Sequence, residues 1–295
     1  MDELWNIQKK FLDKIIESRD EDREETAARY VLHIFEEIAE LLDALGGAWK
    51  TNVRTPEDVR RSQILIESVD VIKLAMSIPM LYGYKFEDFK KTFIQKSKLI
   101  NLKYEEENRL KEMYDEPKVV LDLDGVLMKY PELWLDFLNK HLKKNFRVED
   151  LTSPYLLWQQ LEIPPETYEY LKRMYRDSGE VLKGEPIEGS QQFVFKLHQK
   201  YKVVILTRRP VDQYERLAHD TIEWLDKHNY HYDAILFSQE KPYTLKTKLG
   251  NVVFCLEDDP REAENFERIG YKSLLLKRPY NNGTITFEKI LETYL

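Results

Sequence analysis

The sequence predicts a multidomain chain, an all-α helical bundle followed by an α/β domain built on a parallel sheet. Three observations carry that expectation. Apolar residues recur at helical spacing from Met1 to Met113. After Asp115-Glu116-Pro117, short β-branched runs alternate with helical stretches. The chain has 295 residues, and at roughly 100–200 residues per domain it can bury two cores.

The helices come first. Leu4, Ile7, Phe11, Leu12, Ile15 and Ile16 form one apolar stripe. Val31, Ile34, Phe35, Ile38, Leu41, Leu42 and Leu45 form a second, which stops at Gly46-Gly47. Thr55-Pro56-Glu57-Asp58 reads as a cap followed by proline in the first turn. Ile64, Leu65, Val69, Ile72, Leu74, Ala75 and Met76 make the third stripe, with Pro79 kinking or ending it. A fourth helix runs from Phe86 towards Glu112.

The strands follow. The runs begin at Lys118, Lys202, Ala234, Val252 and Lys272. Continuous apolar runs separated by helices indicate a parallel sheet buried on both faces. Leu133, Leu135, Phe137, Leu138 and Leu142 predict a helix after the first strand, as does the stretch from Thr167 to Tyr175. The expected domains are therefore 1–114 and 115–295, with an inserted helical cap at about 130–185.

Composition excludes several classes. Apolar residues are 42% and charged residues 33%, so the chain is not disordered throughout. No apolar run approaches the roughly 18 residues of a membrane span. The opening MDELWNIQKK is acidic and amphipathic, unlike a signal peptide. The net charge of −8, about −4 in each half, gives no domain-wide basic footprint, and no stable nucleic-acid partner is expected. Cys255 is the single cysteine, so no internal disulfide forms and a reducing, cytoplasmic location is expected. The six histidines show no metal-ligand spacing.

Acids stand where apolar residues belong. Glu36, Glu37 and Glu40 border the second stripe, and Glu67 and Asp70 border the third. Spacings of three and four residues let their carboxylates converge. Buried together they repel, and a hard divalent cation such as Mg²⁺ relieves that repulsion. Exposed on a helix, they are ordinary solvated residues.

Glu36-Glu37-Ile38-Ala39-Glu40 followed by Glu67-Ser68-Val69-Asp70 resembles the EExxE…ExxD pattern of the all-α nucleoside triphosphate pyrophosphatases, a superfamily that includes MazG and the dimeric dUTPases. The likeness spans about 25–110, and Trp49-Lys50 resembles the dimeric dUTPase branch more than MazG. The resemblance implies that Glu37, Glu40, Glu67 and Asp70 bind Mg²⁺, with Glu36 a further ligand or the base that orients water. It implies cleavage between the α and β phosphates and a homodimer or homotetramer formed through the helices. It places phosphate and nucleotide contacts at Lys96, Lys98 and Asn101, which otherwise read as a basic helix face.

The second half carries the stronger signal. A buried strand runs into Asp122-Leu123-Asp124-Gly125-Val126, and Gly125 permits a tight turn. In open parallel sheets, ligands bind beyond the carboxyl ends of strands. This segment resembles the DxDx[TV] motif of the haloacid dehalogenase superfamily, whose Rossmann-like sheet carries a cap. Thr207 after Ile205-Leu206, Lys241 in Gln239-Glu240-Lys241-Pro242, and Leu256-Glu257-Asp258-Asp259-Pro260 follow in that family's order.

That resemblance implies Asp122 as nucleophile and Asp124 as general acid and base. It implies Thr207 and Lys241 as phosphoryl ligands, with Mg²⁺ held by Asp122, Asp258 and the Asp124 carbonyl. Lys246 and Lys248 are rivals to Lys241, and Glu257 or Asp259 support Asp258. Arg208 and Arg209 are candidate phosphate or cap contacts. The cap resembles that of deoxyribonucleotidase-like members. Its Tyr130, Trp134, Tyr155, Trp158, Tyr168, Tyr170 and Tyr175 either stack on a base or form the cap's core.

Together these features predict a bifunctional, Mg²⁺-dependent nucleotide phosphohydrolase. One half takes a (d)NTP to the monophosphate and pyrophosphate, and the other takes the monophosphate to the nucleoside. Two alternatives remain at this point: a single-activity phosphatase whose helices only assemble it, and a nucleotide-binding sensor.

Overall fold

The computed structural model describes residues 2–18, 22–45, 57–214 and 216–295. They form two compact units, Met1–Ile94 and Gln95–Leu295.

The first unit is helical. It comprises α1 (Asp2–Ser18), α2 (Arg23–Ala44), α3 (Glu57–Leu81) and the start of α4 (Phe86–Glu112), matching the four expected helices. Asp22 caps α2 by accepting the Glu25 backbone N–H at 2.8 Å. Trp5, Leu12, Ala27, Tyr30, Met76 and Met80 make the core. The Trp5 ring lies 5.7 Å from Phe86 and 5.3 Å from Phe89. Gln8 reaches across to donate to the Ser77 hydroxyl at 2.8 Å. Pro79 lies inside α3, which ends at Leu81.

Much of the second and third apolar stripes faces outward. Phe35 and Leu65 are each 66% exposed, and Val31, Ile38, Leu42, Leu45, Val69 and Ile72 are exposed as well. Two packed helices can each turn only one face towards the other, and the apolar residues of α2 and α3 wrap beyond that face. The Gly46-Gly47, Trp49-Lys50 and Thr55-Pro56 signals lie outside the described residues.

The second unit is a parallel sheet flanked by helices. Its strands are β1 (Lys118–Leu121), β2 (Lys202–Thr207), β3 (Ala234–Phe237), β4 (Val252–Glu257) and β5 (Ser273–Leu275), one on each expected apolar run. They lie in the order β3-β2-β1-β4-β5. The helices are α5 (Tyr130–Leu142), α6 (Leu157–Gln160), α7 (Pro165–Ser178), α8 (Ser190–His198), α9 (Leu217–Lys227), α10 (Lys241–Lys248), α11 (Pro260–Arg268) and α12 (Phe287–Tyr294). From β1 the chain winds to β2 and β3 on one side, then crosses to β4 and β5 on the other. The crevice at the carboxyl ends of β1 and β4 is thus the point where the winding reverses, the usual ligand site of such sheets.

Helices α5 to α7 form the insertion after β1. Trp134 is its centre, donating from Nε1 to the Tyr168 hydroxyl at 3.2 Å. It packs edge-on against Tyr168 and Tyr175, at 5.4 and 5.2 Å. These three aromatics are therefore core of the insertion. At the sheet edge, the buried Glu106 of α4 accepts the β3 Ile235 N–H at 2.8 Å, which pairs an otherwise open strand edge. Among the described residues, no helix is long and apolar enough to cross a membrane.

Lys118, on β1, is fully buried. Its ammonium donates to the carbonyls of Tyr114 at 2.7 Å, Glu116 at 2.8 Å and Gly250 at 3.3 Å. Lys118→Met keeps the apolar stem but leaves those carbonyls without their shared donor. It should destabilise the second unit by about 1–3 kcal/mol, read as a lower urea midpoint at unchanged m-value.

Candidate functional site

The strongest site lies at the crevice between β1 and β4. All four β1 residues are buried, so the strand has no freedom to slip. The ladder extends one step further, with the Asp122 N–H donating to the Leu256 carbonyl at 3.0 Å. The chain then turns sharply. Gly125 has φ +83°, and a Cβ built there would stand 1.9 Å from Asp258 Oδ2. Only glycine allows this backbone to pass so close to that carboxylate.

Asp122 Oδ1 accepts the Leu123 N–H at 2.8 Å and the Lys241 ammonium at 2.8 Å. Lys241 opens α10 and also donates to Glu257 Oε1 at 2.9 Å. Glu257 ends β4, and Asp258 follows it, accepting the Tyr280 hydroxyl at 2.6 Å. Lys241 is thus shared by two carboxylates, while the third leans on a neutral phenol.

Burial sets the electrostatics. It raises the Asp122 carboxyl above its usual range against the pull of Lys241, and it raises Glu257 well above. Burial and then the Asp122 charge push Asp258 up to about 8. Burial alone would lower Lys241, but Asp122 and Glu257 outweigh it and hold the ammonium protonated.

The arrangement fits a divalent cation. Asp122, Glu257 and Asp258 each offer one oxygen, all within 4.8 Å of one another. Glu257 Oε2 is buried without a hydrogen-bond partner. One ammonium cannot balance three buried carboxylates, and hard oxygen donors match Mg²⁺.

Asp124 stands apart from that group. Arg209 clamps its carboxylate, from Nε at 3.0 Å and Nη2 at 2.6 Å. Arg209 is itself buried and anchored, donating to Thr221 Oγ1 at 2.8 Å. Thr207, the last residue of β2, is buried and accepts the Arg209 N–H at 3.3 Å. Asp122, Asp124, Thr207, Arg208, Lys241, Glu257 and Asp258 line one cavity of about 140 Å³. Of the rival lysines, Lys246 is exposed and Lys248 pairs with Glu107. Asp259 also lines the cavity, but it caps α11 and pairs with Arg261. Arg208 pairs with Glu262 at 2.9 Å.

Three residues beside Asp258 and Asp124 were not among those singled out from sequence: one bonds Asp258, and two line a cavity that Asp124 also lines. Tyr280 lies in a loop after β5 with no local pattern to mark it, and Lys172 and Arg176 lie on α7 among many charged helix residues. The clamp of Arg209 on Asp124 is likewise invisible in sequence, since the two are 85 residues apart, with the whole insertion between them.

In the helical unit, Glu37 of α2 and Glu67 and Asp70 of α3 each offer one carboxylate oxygen, all within 4.8 Å of one another. Burial, then Asp70, Glu40 and Glu67, raise the Glu37 carboxyl. Asp70 also accepts Lys73 Nζ at 2.9 Å. Glu40 is exposed beside the group. Glu36 is exposed too, and meets His33 Nδ1 at 2.7 Å on its own helix. Lys96, Lys98 and Asn101 are exposed on the part of α4 that belongs to the second unit, where Lys96 donates to the Asp212 carbonyl.

Comparison with known proteins bears on both halves. The family described as "5' nucleotidase, deoxy (Pyrimidine), cytosolic type C protein" matches residues 116–292. The family described as dUTPase matches residues 1–162. No curated protein matches the chain. Among solved structures, a haloacid dehalogenase-like hydrolase from Streptococcus pneumoniae is 14% identical with a TM-score of 0.43, covering 61% of this chain and 91% of its own. A haloacid dehalogenase-superfamily hydrolase from Geobacter sulfurreducens is 15% identical with a TM-score of 0.39, covering 60% of this chain and 96% of its own. A Bacillus subtilis hydrolase of that superfamily, described as bound to magnesium, is 12% identical with a TM-score of 0.38, covering 55% and 89%.

Gly125→Ala forces a methyl group against Asp258 and a non-glycine residue into positive φ. It should cost about 1–3 kcal/mol of stability, and Mg²⁺ should raise the melting temperature of the native chain but not of this variant. Urea unfolding and melting with and without Mg²⁺ measure both effects.

Proposed function

The chain belongs to the dUTPase family and to the cytosolic type C 5' deoxy (pyrimidine) nucleotidase family, and from that premise we propose that it strips a nucleotide in two successive Mg²⁺-dependent steps. It is a hydrolase acting on nucleotides and phosphate esters. The observation that carries the two-step reading is the presence of two separate three-carboxylate groups, one in each compact unit.

In this reading residues 1–114 convert a (d)NTP, a pyrimidine deoxynucleotide in the first instance, to the monophosphate and pyrophosphate. Glu37, Glu40, Glu67 and Asp70 would hold Mg²⁺, and Glu36 would be a further ligand or orient water. Lys96, Lys98 and Asn101 would contact the nucleotide. Residues 115–295, with 130–185 as cap, would remove the remaining phosphate. There Asp122, Asp258 and the Asp124 carbonyl would hold Mg²⁺. The ion, when bound at either site, offsets the charge of the phosphate groups and so lowers the barrier to attack on phosphorus.

Asp122 would attack the phosphorus and form an aspartyl-phosphate as the phosphorus–oxygen bond to the nucleoside breaks. Asp124, oriented by Arg209, would protonate the departing oxygen and then take a proton from the water that cleaves the intermediate. Thr207 and Lys241 would hold the phosphoryl oxygens as charge shifts, with Arg208 at the rim. Lys241 is suited to this because its charge is already fixed by two carboxylates.

The exposed apolar face on α2 and α3 supports a homodimer or homotetramer formed through the helices. The single, buried cysteine supports a reducing, cytoplasmic setting.

Product analysis with each dNTP and Mg²⁺ tests the scheme. Asp122→Asn should stall the sequence at monophosphate, slowing phosphate release at least about 10³-fold. Glu37→Gln or Asp70→Asn should block triphosphate consumption while leaving added monophosphate a substrate. Loss of both steps in Asp122→Asn would overturn the division of labour. Triphosphate consumption undiminished in Glu37→Gln would reduce the helical half to an assembly module.

A further inference from the structure

A second cavity, of about 170 Å³, opens beside the first. The two meet at Asp124, Tyr130 and Arg208, which line both. If Asp122 bonds to phosphorus and Asp124 protonates the departing oxygen, the leaving group departs on the Asp124 side. The second cavity is then where the nucleoside part sits.

Its charge is unbalanced. Asp124 is matched by Arg209 and Arg208 by Glu262. Lys172 and Arg176 stand one turn apart on α7 and also line the cavity. Neither has a carboxylate in contact among the described residues. Lys172 donates to the Tyr168 hydroxyl at 3.3 Å and lies 5.0 Å from that ring's centre. Arg176 lies 4.8 Å from the centre of the Tyr214 ring. Burial, then Arg176, push the Lys172 ammonium down to about 8 against the weaker pull of Glu169 and Asp124, neither of which touches it. Between them Tyr175 is 1% exposed, lines the same cavity, and has a buried hydroxyl without a hydrogen-bond partner.

A neutral base could accept from the hydroxyl, but it would leave two sheltered cations uncompensated. A phosphate dianion accepts from all three groups and balances both charges. We propose that this cavity seats a second phosphoryl group carried by the leaving nucleoside, so that the preferred substrate of the α/β site is a deoxynucleoside 3',5'-bisphosphate. The inference rests on the phosphatase reading of that site. Only the phosphorus–oxygen bond at the 5' position breaks: one water is consumed, inorganic phosphate leaves, and the 3' phosphate stays on the released nucleoside.

The test compares kcat/KM for a deoxynucleoside 3',5'-bisphosphate with that for the matching 5'-monophosphate. The native chain should favour the bisphosphate at least about tenfold, the effect of one charge-assisted contact or more. That ratio should fall to near unity in Lys172→Met with Arg176→Gln, and Lys172→Arg should retain most of it. Because the ratio is internal to each preparation, partial misfolding of a variant does not alter it. Equal use of the two substrates by the native chain, or an unchanged ratio in the double variant, would overturn the inference and leave the phosphatase reading standing. Inactivity of the native chain toward both would overturn that reading and the inference with it.

Discussion

The end of the sheet between β1 and β4 gathers three buried acids that Lys241 alone cannot balance if all are ionised, and the rest of the site is arranged around that constraint. Asp122, Glu257 and Asp258 are buried together, and Lys241 bridges two of them. Repulsion of this kind destabilises a fold unless something else takes up the charge. It is also what suits the place to a divalent cation, which three converging carboxylate oxygens can hold. The fold tolerates the cost because β1 is buried along its length, β4 is buried from Phe254 to Glu257, and the ladder between them reaches Asp122.

The turn after Asp122 shows how closely backbone and charge are fitted. Gly125 lets the chain pass against Asp258, and the nearby Tyr280 hydroxyl steadies the same carboxylate with a hydrogen bond. Arg209 does the equivalent for Asp124, reaching it from the loop after β2 while anchored on α9. The two aspartates of one short motif are thus held by different partners. That separation is what allows one to sit among acids and the other to line both cavities. Under the insertion, the aromatic core around Trp134 fixes α7, and with it the cations that α7 turns towards Asp124's cavity.

The helical unit meets a milder form of the same problem. Glu37, Glu67 and Asp70 converge, but they are half-buried and Lys73 relieves part of the charge. Water can reach them, so their repulsion is smaller. The larger cost there is the apolar surface of α2 and α3 left facing solvent. A helix whose apolar residues exceed one face is stable alone only at the price of wetting the remainder.

Periodicity and composition determined the two-part architecture, the four helices and the five strands, because the apolar runs that fill a core are written locally. The motif around Asp122 and Asp124 was equally legible, since a strand that ends in acids and glycine has few uses. Which lysine joins it was not, for Lys241, Lys246 and Lys248 lie on one helix and only the position of α10 against β4 selects the first. The outward turn of Phe35 and Leu65 was hidden for the same reason, as a stripe records that a face is apolar but not what meets it. The Arg209 clamp, the Tyr280 contact and the packing of Arg176 on Tyr214 join segments far apart in the chain. Charge pairing acts over a few ångströms of space, not along the sequence, so only the tertiary structure could decide these contacts.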